Sequence, residues 1–351
     1  MLQAEQRKWG YLQIADHLEA QIHSGVLKPN EKLKTTEELA SEYDVTTMTI
    51  QRGLSRIVAK GLIRRNPRRG SFVSSSVKGK VVGVLFGGNP LVIKTPFYRL
   101  LLNSLLIRAA KEDMSIQPYF DYDLDNPYQG IRAVEKDVRD GNIKCLIPLC
   151  TSIQQSAWLD GTSICPVIDS PGLDLKDMAR LGIEHLLAKG RRRIKFFLMY
   201  SPNMPNIKQY DAEINGIKAA FKTAGIKPPP MDDILVFCDD KFKAGYEVMK
   251  TMLAKGNIDG IIVNHDILVQ GILIALLGCE VKLPKDISLV CHENKGAEHI
   301  SPVELTKLLV DPDDFAKAIV EYIIREWNGL KPGRHSTDAN VKAKLILGAS
   351  S

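Results

Sequence analysis

Apolar positions in the first sixty residues recur at helical spacing. Ile14, Leu18 and Ile22 fall every four residues on one stripe and predict a helix over Tyr11–His23. Gly25 stops it, and Val26, Leu27 and Leu33 bracket a turn at Lys28-Pro29-Asn30. A second helix starts at Thr35 or Thr36, where Thr35 and Glu38 have the spacing of a capping box; Leu39 and Ala40 face inward, and the helix ends near Tyr43. Asp44-Val45 predicts a tight turn, with Val45 plugging the gap between helices. Thr46 then caps a third helix whose buried face is Ile50, Leu54, Ile57 and Val58, closed by Gly61. Two short helices joined by so tight a turn predict a helix-turn-helix, whose second helix can enter the major groove. A hairpin follows: Leu62–Arg65, a tip at Asn66–Gly70, and Ser71–Val73.

Beyond Ser74–Lys80, a small polar tether, the pattern changes to apolar runs alternating with helical stretches. Strands are expected at Val81–Phe86, Ser115–Phe120, Cys145–Pro148, Pro166–Asp169, Ile194–Met199, Ile234–Phe237, Gly260–Asn264 and Ser288–Cys291. Helices between them include Phe97–Lys111, Asp174–Lys189, Lys241–Lys255 and Asp266–Leu277. Continuous apolar strands alternating with helices predict parallel sheets covered on both faces. Over about 270 residues, two doubly wound lobes fit better than one sheet. The expected architecture is therefore α/β, with a winged helix-turn-helix over residues 1–76, a linker at 77–80, and a two-lobed body over 81–351.

Charge separates these parts. Residues 1–80 hold 14 Lys and Arg against 8 Asp and Glu, a net +6, while the whole chain holds 47 against 41. The remainder is therefore 33 against 33, net zero. A basic module on a neutral body is the footprint of a nucleic-acid-binding head. The exposed N-terminal face of the third helix offers Thr46, Thr47, Thr49, Gln51 and Arg52. Gln can bond adenine, Arg can bond guanine, and a Thr methyl can touch the thymine methyl. Thr35 joins them at the start of the second helix. At the hairpin tip Arg68, Arg69 and Gly70 sit where a wing can reach phosphates or the minor groove.

This head resembles the winged-helix domain of the GntR family over residues 10–74. The likeness lies in the runs QIADHLEAQIHSGVLKPNEKL and ELASEYDVTTMTIQRGLSRIVAKGLI and in the closing RRGSFV. Glu37, Thr47 and Gln51 stand where that family usually has Arg, and Asn30 and Lys34 where it often has Gly and Pro. The resemblance therefore implies a divergent operator, read more by Arg52, the threonines and the wing.

In the body, no Walker, GxGxxG or GxSxG motif is present, and the histidines show no ligand-like spacing. No catalytic residue, metal site or cofactor is expected, and binding fits better. In open α/β sheets ligands sit beyond the C-terminal ends of strands. Those ends carry Gly87-Gly88-Asn89, Asp121, Ser170, Tyr200-Ser201, Asp239-Asp240, Asn264-His265-Asp266 and His292-Glu293-Asn294. Polar clusters there suit a small polar ligand, although Asp266 could be only an N-cap.

The body resembles the effector domain of the LacI/GalR repressors, itself similar to periplasmic sugar-binding proteins. The matching stretches are VVGVLF, PFY, ARLGIEHLLAKGRRRIKFF, IDGIIVNHDILVQGILIAL, LPKDISLVCHEN and SPVELTKLLVDPDDFAKAIVEYI. Such a head on such a body resembles the arabinose-repressor type of regulator. By that likeness Asp266 matches an effector-contacting Asp, in an Asn-Asp pair split here by His265, which brings in Asn264. Glu293 falls at an acidic or amide contact, and Tyr98 at an aromatic wall. Glu213, three residues before Gly216, stands where the family often has a ligand-binding Arg, which implies a more acidic pocket and an unusual saccharide or a cationic ligand.

The reading is a DNA-binding repressor that acts as a homodimer on an operator and is switched by a small polar effector, most simply a saccharide. A DNA-recruited enzyme acting on a sugar or nucleotide, and an architectural protein without an effector, are the rivals. The N-terminal segment MLQAEQRKWGYLQ has no apolar run for a signal peptide, and Ile267–Cys279 is too short to span a bilayer. A cytoplasmic protein with no membrane partner is expected. The six cysteines form no CxxC pair and are expected to be buried free thiols.

Overall fold

The computed structural model describes residues 9–23, 26–28, 30–66, 69–74, 80–87, 95–121, 128–151, 153–200, 210–239 and 242–351. The head comprises α1 (Tyr11–His23), α2 (Thr36–Glu42), α3 (Thr47–Ala59), β1 (Ile63–Asn66) and β2 (Gly70–Val73). The capping box forms: Thr35 Oγ1 accepts from the Glu38 amide at 3.2 Å, and Glu38 Oε2 accepts from the Thr35 amide at 2.7 Å. Such a cap contributes about 1 kcal/mol. The turn between α2 and α3 is made by Asp44, whose φ of 51° reverses the chain in one residue. Ile14, Leu18, Ile22, Leu39, Ile50, Leu54 and Ile57 close over one core with Leu33, Ile63 and Val73. Val58, expected in that core, is 36% exposed instead. It lies one position off the stripe set by Ile50, Leu54 and Ile57.

The N-terminal lobe of the body contains β3 (Lys80–Phe86), α4 (Phe97–Lys111), β4 (Met114–Phe120), α5 (Gln129–Arg139), β5 (Cys145–Leu149), α6 (Ile153–Gly161) and β6 (Pro166–Ile168). After a crossing strand, β7 (Gly172–Leu173), the C-terminal lobe follows. It is built from α7 (Leu175–Ala188), β8 (Ile194–Tyr200), α8 (Asp211–Thr223), a short turn α9 (Met231–Ile234), β9 (Leu235–Asp239), α10 (Phe242–Lys255), β10 (Gly260–Val263), α11 (Asp266–Gly278), β11 (Ser288–Asn294) and β12 (Thr306–Val310). The chain then returns through α12 (Pro312–Glu326) and β13 (Gly333–His335), and crosses back through β14 (Asn340–Val341) to β15 (Lys344–Ile346).

The first lobe holds a parallel sheet in the order β13-β6-β5-β3-β4, the second a sheet in the order β15-β12-β11-β10-β8-β9. β15 runs antiparallel to β12, so the second sheet is mixed at that edge rather than wholly parallel. All eight expected strands are present, although Ile234 belongs to the turn before β9. β12 and the short strands β7, β13, β14 and β15 were not expected. The residues of β12 alternate between buried and half-buried, so it lacks the continuous apolar run that marked the others.

The chain passes between lobes three times. Two of the passes are tied together by the parallel pairing of β7 with β14 and by hydrogen bonds from the Asp169 amide to His335 O and the Asp174 amide to Val341 O. α12 belongs to the first lobe by its packing: Phe315 meets Phe97 of α4 edge to face at 5.0 Å, and Asp313 pairs with Arg108. In the second lobe α7 and α8 approach very closely. A Cβ on Gly216 would lie 2.2 Å from the Lys176 carbonyl oxygen, so only glycine fits there. Cys150 and Cys279 are exposed and the other four cysteines are buried, so the expectation of burial fails at those two positions.

Candidate ligand cavity and nucleic-acid interface

A cavity of about 430 Å³ opens between the lobes, beyond the C-terminal ends of β5, β8, β10 and β11. The first lobe supplies Thr95, Phe97, Tyr98 and Cys150, and the crossing segments supply Ser170, Pro171 and Leu173. The second lobe supplies Tyr210, Glu213, Asn264, His265, Asp266, His292 and Asn294. The cavity is therefore aromatic on one side and hydrogen-bonding on the other.

Asp266 is the first residue of α11, where the helix dipole favours an anion. Its carboxylate is already engaged. Thr95 Oγ1 donates to Oδ2 at 2.7 Å, Asn294 Nδ2 donates to Oδ2 at 2.8 Å, the Ile267 amide donates to Oδ1 at 2.9 Å, and His265 Nδ1 lies 3.0 Å from Oδ1. Burial pushes this carboxyl up, but its hydrogen bonds and the neighbouring imidazoles outweigh burial and hold it well below the usual carboxylate range. The Thr95 contact joins the two lobes across the cleft.

Glu213, in the first turn of α8, is 3% exposed. Asn264 Nδ2 donates to its Oε1 at 3.3 Å, and its Oε2 has no hydrogen-bond partner among the described residues. Burial pushes its carboxyl up from the ordinary range. Asn264 Oδ1, Asn294 Oδ1 and both ring nitrogens of His292 are likewise buried and unpartnered among the described residues. Burial pushes the His292 imidazole down to about 4, so it is neutral at pH 7 and offers one donor and one acceptor. All five unpartnered atoms belong to residues that line this one cavity. A buried polar atom left dry costs about 1–3 kcal/mol, so a ligand that pairs them recovers a large free energy.

Of the residues singled out in the sequence, Tyr98, Glu213, Asn264 and Asp266 come together here. Tyr98 stacks edge to face on Phe97 at 5.3 Å, and burial pushes its phenol up to about 12. Glu293 does not join them. Successive residues of a strand face opposite ways, so β11 turns His292 and Asn294 to the cavity and Glu293 away from it. There it pairs with Lys307 Nζ at 2.5 Å and accepts from the His299 amide. Asp121, another polar strand end, is outside the lining; it accepts from the Gly130 amide and from Gln155. The sequence reading named His292 and Asn294 among the polar strand ends but singled out only Glu293 there, and it missed Thr95; the two-residue period of β11 marks His292 and Asn294 as sharing a face.

In the head, Thr46 is the N-cap of α3, its Oγ1 accepting from the Thr49 amide at 3.3 Å and lying 2.9 Å from Thr49 Oγ1. Thr35 and Thr46 are thus helix caps at the edge of the interface. Thr47, Gln51 and Arg52 are exposed on the same helix, beside Met48, which is 64% exposed. Tyr11 of α1 and Arg65 of β1 flank Gln51 and Arg52 around a shallow depression. Gly70 takes φ +107° at the start of β2, and Arg69 beside it is exposed. Arg68 lies outside the described residues.

Residues 10–73 match the family model described as bacterial regulatory proteins, gntR family, and residues 183–351 match that of the periplasmic binding protein-like domain. The HTH-type transcriptional repressor NagR of Bacillus subtilis (strain 168) is 39% identical over 64 residues, which cover 18% of this chain and 26% of that protein. The arabinose metabolism transcriptional repressor of Geobacillus stearothermophilus is 29% identical over 80 residues, 21% of this chain and 22% of that protein. The chain therefore matches about a quarter of the length of these curated relatives. Among solved structures, the transcriptional regulator CelR in complex with cellobiose superposes with a TM-score of 0.61 at 13% identity, covering 91% of this chain and 100% of that one. LacI-family regulators share the fold at similarly low identity. The chain thus joins a GntR-type helix-turn-helix head to a periplasmic-binding-protein-like α/β body.

Proposed function

We propose that this chain is a transcriptional repressor whose hold on an operator is set by a small polar effector of the saccharide class. The observation that carries the reading is a set of five buried polar atoms, unpartnered among the described residues and belonging to residues that line one inter-lobe cavity, on the same chain as an exposed recognition helix. The names of the two relatives, both repressors, and the cellobiose in the CelR complex support it. In this reading the body binds rather than catalyses, and the protein acts in the cytoplasm where its DNA lies.

Residues 1–76 form the DNA-binding unit, 77–80 the linker and 81–351 the effector and dimerisation unit. Gln51, Arg52, Thr47 and Thr49 meet base edges, while Arg68, Arg69 and Gly70 bring the wing to the backbone, with Thr35 and Thr46 setting the helix starts. One winged helix makes too small an interface for specific affinity, so the operator is bound by a homodimer. Ile274 and Leu277, 52% and 55% exposed and one turn apart on α11, give the body an apolar strip suited to a second copy. Tyr98, Glu213, Asn264 and Asp266 hold the effector. It shifts DNA affinity by favouring one arrangement of the lobes, and a coupling of about 1–3 kcal/mol makes a useful switch.

The test is fluorescence anisotropy of the full-length protein on DNA from upstream of its own gene, against salt and with a panel of mono- and oligosaccharides. Specific, salt-sensitive binding that a sugar abolishes is expected. Arg52→Ala should weaken operator binding by about 1–3 kcal/mol. Binding equally strong to unrelated DNA, or unaltered by every small molecule, refutes the reading.

A further inference from the structure

The cavity has one chemical peculiarity beyond its ability to hold a polar ligand. Its hydrogen-bonding wall is rich in acceptors. Glu213 Oε2, Asn264 Oδ1 and Asn294 Oδ1 are all oxygens without a hydrogen-bond partner among the described residues, and only His292 adds a donor. No Lys or Arg is among the described residues of the lining. The two carboxylates are also unlike each other. Asp266 is held by Thr95, Asn294, the Ile267 amide and His265, which satisfies its charge internally. Apart from its own backbone amide, Glu213 is contacted among the described residues by Asn264 Nδ2 alone, at 3.3 Å, and is 3% exposed. A buried, sparsely bonded carboxylate is among the costlier arrangements a protein can hold, and a bound cation is the partner that relieves it.

We infer that the effector carries a protonated amine that docks on the Glu213 carboxylate, with Asn264 Oδ1 as a second acceptor, so that the ligand is an amino sugar or similarly compact aminated polyol. This rests on the reading of the cavity as an effector site and sharpens it. An ammonium brings donors to a wall short of them. The hydroxyls of the same molecule fit Asn294 and His292, and its apolar face fits Phe97 and Tyr98. The volume of about 430 Å³ accommodates a mono- or disaccharide frame. A phosphate or carboxylate on the ligand would meet Glu213 with no Lys or Arg among the described lining residues to compensate, so the same wall disfavours acidic sugars.

The test uses the full-length protein and calorimetric titration at pH 7 with three matched sets: glucosamine, galactosamine and mannosamine, their N-acetylated forms, and glucose, galactose and mannose. At least one amine should bind 10-fold or more tighter than both of its counterparts. Glu213→Gln, which keeps the shape and removes the charge, should erase that preference while leaving the ligand-free protein folded, with a raised melting temperature. A neutral sugar that binds best, and binds Glu213→Gln equally well, overturns the amine while keeping the effector site. Failure of all three amines to bind also overturns it. If in addition no small molecule alters DNA binding, the effector reading falls with it.

Discussion

The Thr95–Asp266 hydrogen bond is the contact through which cleft closure can be perturbed by a single substitution. Thr95 precedes α4 in the first lobe and Asp266 begins α11 in the second, and the 2.7 Å bond between them spans the cavity. Thr95→Val keeps the shape and removes the donor to Asp266, together with the acceptor of a longer bond from the Phe97 amide at 3.3 Å. A hydrogen bond to a charged group contributes about 1.5–3 kcal/mol when both partners are sheltered. Here Asn294 still donates to the same oxygen at 2.8 Å, so Asp266 is not left orphaned and the lower end applies. A loss of about 1.5 kcal/mol in the closed arrangement is a factor of roughly 10 in the closure equilibrium. Effector binding that requires closure should weaken by the same factor. Calorimetric titration with a ligand found to alter DNA binding measures that loss, and small-angle scattering of the ligand-free protein should show a larger radius of gyration. Thr95→Ser, which keeps the hydroxyl, should behave as the unaltered protein. If Thr95→Val and Thr95→Ser cannot be told apart in both measurements, the bond does not hold the lobes together.

Two further expectations concern stability. The His292 imidazole titrates near 6.5 when unfolded and near 4 when buried in the folded chain, so the unfolded state binds its proton first. The ring carries no protonation penalty above pH 6.5, and stability is lost as pH falls from there toward 4, by up to ~3 kcal/mol. Urea unfolding of the unaltered protein and His292→Gln between pH 7.5 and 4 should converge on parallel curves above pH 7 and diverge below 6; a constant difference across that range refutes the assignment. At Gly216, a methyl would meet the Lys176 carbonyl at 2.2 Å and force α7 and α8 apart. Gly216→Ala should cost about 1–3 kcal/mol or more and lower the melting temperature, whereas Gly161→Ala, where a Cβ meets nothing within 4 Å, should not.

The head was legible because its signals are local. The stripe Ile14, Leu18, Ile22, the Thr35–Glu38 capping box and the Thr46 cap each need only a few neighbouring residues, and all three form. The body was legible where strands are buried on both faces and read as continuous apolar runs. β12 and the two- and three-residue strands of the crossings escaped because alternation or brevity removes that mark. Local signals also place the polar strand ends near the cavity, but cannot say which side chains turn into it. Glu293 illustrates the gap: the choice among His292, Glu293 and Asn294 is a question of strand parity, and a single residue of register turns the acidic group from the cleft to Lys307. Glu213 illustrates the opposite case. Its position relative to Gly216 is set by one helical turn, because the glycine is fixed where α8 crosses α7 at Lys176 and Glu213 must then fall on the same buried face, at the cavity end. The packing requirement that dictates the glycine thus also carries into the core a carboxylate with one oxygen unpartnered among the described residues. That position is expensive for the folded chain, and only a ligand with the complementary charge turns the expense into selectivity.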